Sequence, residues 1–112
     1  MSKPALRAIS HYSRAALALL GQLIRTARIE RKLTVAELAA RAGISRGLVQ
    51  RIEKGDPGCA IGSVFECAAI VGVRLFDADQ PTLTSAIESN AKTLTLMPKS
   101  VRAARIETND DF

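Results

Sequence analysis

Apolar positions fall into a helical rhythm from about Arg14. Leu17, Leu20, Ile24 and Ala27 recur at steps of three and four, which puts them on one side of a helix reaching about Arg31. Gly21 interrupts that helix and weakens it by about 1 kcal/mol relative to alanine. Met1 to Ser13 keeps no such period and contains Pro4, so it reads as a loose leader that could turn helical from Ala5.

The next elements are marked by their ends. Thr34-Val35-Ala36-Glu37 has the spacing of a capping box, with the Thr hydroxyl accepting the Glu37 amide and the Glu carboxylate accepting the Thr amide. A short helix follows and stops at Gly43, where leaving a helix tightly needs a positive φ. Ser45 is the next N-cap, opening a helix over Arg46 to Lys54 that ends at Gly55. Asp56-Pro57-Gly58 is a loop. A fourth helix spans about Ala60 to Val71, with Ile61, Val64, Phe65, Ala68 and Val71 as its buried stripe and Gly72 just past its end. Val73-Arg74-Leu75 alternates apolar, basic, apolar, as a short strand does. Thr82 could cap a weak helix through Ile87 and Asn90, and Leu94-Thr95-Leu96 alternates again. Beyond Pro98 the chain is a polar tail, basic and then acidic.

Composition narrows the classes. The chain has 112 residues, 47% hydrophobic and 4% aromatic with no Trp, which suits one small domain with an aliphatic core. No apolar run is long enough to span a membrane, and Ala15 to Leu20 is too short for a secretory core. Two cysteines, Cys59 and Cys67, and one histidine, His11, give no disulfide scaffold, metal site or His-based catalytic set. No carboxylate pair, nucleophile–base set or phosphate loop suggests an enzyme, and no cofactor is implied. Cys67 reads as a core residue and the compartment as a reducing cytosol. The formal net charge of +5 suggests a polyanionic partner.

The charge is concentrated where it has a use. Two helices joined through Gly43-Ile44-Ser45 must cross steeply, with Ala39 at the close approach. Leu38, Ile44, Val49 and Ile52 would then share a core with Leu20, Ile24 and Phe65. Arg46, Gly47, Gln50, Arg51 and Lys54 are left on the outer face of the second helix. Arg pairs twice with guanine and Gln twice with adenine in a major groove, so Arg46, Gln50 and Arg51 are candidate base readers, and Gly47 admits close approach. Thr34 and Ser45 at the N-caps, with Lys54, Arg25 and Arg28, are candidate phosphate contacts. Arg28 has a competing role, an ion pair with Glu53 or Glu37.

These residues resemble a known family. The stretch from Leu20 to about Phe76 is similar to the helix-turn-helix domain of Xre/Cro-type repressors. The likeness is carried by Arg25 and Arg28, Leu38-Ala39, Gly43-Ile44-Ser45 and Ile52-Glu53-Lys54-Gly55. Many members place Gln at the first position of the second helix, against the DNA backbone; this chain has Val35 there. The resemblance implies an all-α, five-helix, lambda-repressor-like fold that binds operator DNA as a homodimer, with half-sites ~34 Å apart.

Two further pieces resemble HipB-type antitoxins. Val73 to Asp79 is similar to the strand by which their protomers pair, which would give Val73 and Leu75 a dimerising role. The segment Leu96 to Arg102, with Asp110-Asp111-Phe112 at the end, is similar to tails of regulators encoded beside HipA-like kinases. This implies an antitoxin that represses its own operon and binds a HipA-like serine/threonine kinase, with room for a third small subunit. The expected organisation is a leader over 1–13, the helix-turn-helix domain over 14–76, and a partly disordered dimerisation and partner-binding extension over 77–112, with a flexible tail. The expected location is the bacterial cytoplasm, at the nucleoid. The alternatives are a stand-alone phage-type or metabolic repressor, and an adaptor that has lost DNA binding.

Overall fold

Four of the five described α-helices begin at a side-chain cap. The structure, a computed structural model, describes residues 8–103. Residues 1–7 of the leader and residues 104–112 of the tail, with Asp110, Asp111 and Phe112, lie outside the described residues. Helix α1 (His11–Glu30) starts earlier than the Arg14 of the sequence pattern, because Ser10 accepts the Ser13 amide at 3.1 Å and caps it. Helix α2 (Val35–Ala42) opens on the complete capping box and closes on Gly43 at φ 70°. The Thr34 amide donates to Glu37 at 2.8 Å and the Glu37 amide donates to Thr34 at 3.0 Å. The first of these bonds, foremost, holds the Glu37 carboxyl below its ordinary range. The box therefore persists at neutral pH and is lost only as pH falls through that lowered value. Helix α3 (Arg46–Glu53) is capped by Ser45 through the Leu48 amide at 3.1 Å.

Helix α4 (Ile61–Val71) has no side-chain cap at Ala60 and ends on Gly72 at φ 83°. Its buried positions are Cys67, Ala68 and Val71, with Val64 and Phe65 half-buried and Ile61 69% exposed. The core joins these to Ile24 of α1, Leu38 and Ala39 of α2, and Val49 and Ile52 of α3. Burial pushes the Cys67 thiol up, so it packs as a small apolar residue.

The strand expected at Val73 to Asp79 does not form, and no strand occurs among the described residues. The reason lies at the end of α4. The Val73 amide turns back to the Ala68 carbonyl at 2.8 Å and the Gly72 amide to Ala69 at 3.2 Å, a helix-closing pattern. The Val73 donor that would have sought a neighbouring strand is thus satisfied within the chain. A 3-10 turn over Leu75–Asp77 follows, with Phe76 at φ 56° and Asp77 at φ 51°, which ends any extended run. The Phe76 ring meets Phe65 edge-on at 6.5 Å between centroids. Val73 and Leu75 are half-buried against their own core. The dimerising role given to them rested on the absent strand.

The described chain divides into two compact units between Asp77 and Ala78. The second unit holds helix α5 (Gln80–Thr95), capped by Asp79 through the Thr82 amide at 3.0 Å rather than by Thr82 itself. Pro81 sits in its first turn, where a missing amide costs nothing. This helix runs beyond Asn90 and absorbs Leu94 and Thr95, so the second alternation is helical too. None of its residues is fully buried.

Candidate nucleic-acid interface

The exposed side of α3 is defined by what its other side buries. At about 100° per residue, Val49 and Ile52 point into the core, and Arg46, Gly47, Gln50, Arg51 and Lys54 spread over the opposite arc. All of that arc is exposed and its three charged side chains are cationic. Ser45 and Thr34 each use an oxygen lone pair to cap a helix, so each hydroxyl proton remains available to a phosphate.

Gly47 is not required by the protein itself. A Cβ built there would meet nothing closer than the Ser45 hydroxyl at 3.9 Å. Gly47→Ala should therefore raise stability by roughly 0.5–1 kcal/mol, the helix-propensity gain. If a duplex backbone approaches at this point, the same change weakens DNA binding. A thermal melt and a DNA titration on one variant then move in opposite directions. Unchanged DNA affinity removes Gly47 from the interface.

A polar hollow of about 270 Å³ lies beside this ridge, lined by Arg25, Arg28, Val35, Gln50, Glu53 and Lys54. It brings together α1, the start of α2 and the end of α3. Arg25, Gln50 and Lys54 are exposed on it, and Val35 marks the first turn of α2, whose leading amides have no partner inside the helix. A phosphate fits the donor chemistry of that set. Arg46 and Ser45 stand at the other end of α3.

Arg28 belongs to the frame of this hollow. Its Nε donates to Glu53 at 2.6 Å, Nη2 to the other Glu53 oxygen at 3.0 Å, and Nη1 to the Leu33 carbonyl at 2.9 Å. The two side chains are 11% and 6% exposed. The hydrogen bond to Glu53 raises the Arg28 pKa against the opposing effect of burial. Of the two acids that could have paired with Arg28, the partner is Glu53; Glu37 is engaged in the capping box. Arg28 thus ties α1 to the end of α3 and is not carried forward as a phosphate contact.

Two residues that the sequence left in the background shape the site. Gly21 is buried, and a Cβ there would lie 2.6 Å from the Ile52 carbonyl oxygen and 2.7 Å from that of Glu53. The backbone of α1 therefore rests directly on the end of α3. A glycine inside an otherwise periodic helix was the available signal for such an approach. The other residue is Asp56, which receives Arg51 at 2.9 Å; an acid beside Pro57-Gly58 was read only as loop punctuation.

Residues 19–75 match the helix-turn-helix domain family. The chain belongs to that family. A helix-turn-helix domain is a DNA-binding unit, and the two helices joined by the turn at Gly43 are α2 and α3 here. No curated protein matches the sequence. Among the described residues, no helix is long and apolar enough to cross a membrane, and no group of His, Cys, Asp and Glu is clustered to hold a metal.

Proposed function

We propose that this helix-turn-helix protein is a sequence-specific repressor that binds operator DNA as a homodimer and serves as the antitoxin of a HipBA-like operon. In this reading it represses its own promoter in the bacterial cytoplasm and binds a HipA-like serine/threonine kinase, with a third small subunit as a further partner. The observation that carries the DNA-binding part is the pairing of an exposed α3 ridge, whose charged side chains are all cationic, with the hollow lined by Arg25, Val35, Gln50 and Lys54 among others. Arg46, Gln50 and Arg51 read bases. Arg25, Thr34, Ser45 and Lys54 hold phosphates, and the two cations among them, Arg25 and Lys54, contribute salt-dependent affinity. The antitoxin part is supported by the likeness of the tail segment Leu96 to Arg102 to regulators encoded beside such kinases.

The test is a gel shift on the chain's own promoter across a salt series. Lys54→Ala should weaken all duplexes alike and make the slope of log K against log salt shallower by about 0.9, one phosphate's share. A wild-type protein that binds promoter and random duplexes equally overturns the repressor reading. The kinase partner is tested by co-expression with the adjacent reading frame. If the protein binds its promoter but no kinase neighbours it or co-purifies with it, a stand-alone repressor replaces the antitoxin.

A further inference from the structure

The loop after α3 presents a small assembly around Arg51. Arg51 lies on the flank of the ridge away from Gln50, and its Nε donates to Asp56 Oδ2 at 2.9 Å. The other carboxylate oxygen, Oδ1, accepts the Gly58 amide at 2.7 Å. Gly58 leaves the space for this: a Cβ there would stand 3.3 Å from Arg51 Nη2 and 3.3 Å from Asp56 Oδ1. One carboxylate is thus fixed to the backbone two residues on, and with its free oxygen it holds one edge of the guanidinium.

The pair is open to water, with side chains 52% and 35% exposed, so its effect on stability is small. Its effect on order is larger in consequence. A free arginine samples many rotamers, and any contact with a base must freeze them. With Nε engaged, the donors left in one plane are those on Nη1 and Nη2. Guanine offers O6 and N7 to such a pair in the major groove.

We infer that Asp56 is a specificity-determining positioning residue, which presents the Nη edge of Arg51 to a guanine. This deepens the DNA-binding reading above and rests on it. The sign of the effect separates positioning from plain electrostatics. Asp56 puts a negative charge beside a polyanion, so if it acts only through its field, removing it tightens binding to every duplex alike. If it positions Arg51, removing it loosens the preferred duplex and not the others.

The full chain and a random-sequence duplex pool provide the test. Wild type first enriches its preferred site from the pool. Duplexes altered at each base pair of that site are then titrated with wild type, Asp56→Asn, Arg51→Lys and the double variant. Asparagine keeps an acceptor for the Gly58 amide, and a thermal melt verifies that the fold is unchanged. Asp56→Asn should lose about five- to tenfold of discrimination at one guanine. Arg51→Lys should lose it at the same guanine, and the double variant should lose little more than either. Unchanged preference at every position, or uniform tightening, overturns the inference. A wild type that enriches no site overturns the DNA-binding reading first, before any variant is compared.

Discussion

Gly21→Ala should lower the melting temperature by about 10 °C or more. In an exposed helix the same change stabilises by roughly 1 kcal/mol, so the expected effect runs against propensity. The opposing term is contact. The added methyl would sit 2.6 Å from Ile52 O, 2.7 Å from Glu53 O and 2.9 Å from Glu53 C, all backbone atoms that no rotamer change can move. Relief requires α1 to lift off the end of α3. The neighbouring contact resists this, because Gly55, at φ 78°, packs where a Cβ would be 2.9 Å from the Ala18 Cα. Overpacking of this kind costs about 1–3 kcal/mol, and more when backbone meets backbone. In a domain of this size each kcal/mol moves Tm by about 4–8 °C. Circular dichroism melts of Gly21→Ala beside Gly47→Ala give the cleanest comparison: one substitution, two helices, opposite signs. A melting temperature at or above wild type for Gly21→Ala would show that the two helices do not touch through their backbones.

Glu53→Ala should be the most damaging single change. It strands the Arg28 guanidinium, which is largely buried between α1 and the end of α3 at the edge of the polar hollow. Breaking a buried pair from one side costs about 3–5 kcal/mol, because the remaining charge is left desolvated without a counter-ion. Small domains have about 5–15 kcal/mol in all, so the variant should lose a large share of its stability. The double change Arg28→Met with Glu53→Leu removes both charges and should recover most of the loss. Urea titrations of the three variants measure this. If Glu53→Ala costs less than about 1 kcal/mol, the pair is solvated and its structural role is lost.

Local signals were legible in the sequence, and signals that depend on distant approach were not. Thr34 with Glu37, Gly43 and Ser45 each act within four residues, and each forms the cap or turn its spacing implied. The Arg28 partner lies 25 residues away, so sequence alone left Glu53 and Glu37 both open. Gly21 showed only its cost to α1, because what repays that cost is the end of α3. The strand at Val73 failed for a different reason. Three alternating residues cannot be told from a helix closing on glycine, and the Val73 amide chose the Ala68 carbonyl. Asp79 displaced Thr82 as the α5 cap because Pro81 belongs inside the first turn rather than before it. At the interface, the ridge of α3 followed from periodicity, whereas the restraint of Arg51 by Asp56 depends on how a loop folds back.

The seating of α3 on α1 through Gly21 and Gly55 has a practical side. The backbone approaches at Gly21 and Gly55 and the core side chains Val49 and Ile52 seat α3 from its inner arc and its end, clear of the side chains of Arg46, Gly47, Gln50 and Arg51. In the proposed DNA-binding reading, those four positions form an interchangeable cassette. New target preferences can be grafted onto them while the chassis stays as it is.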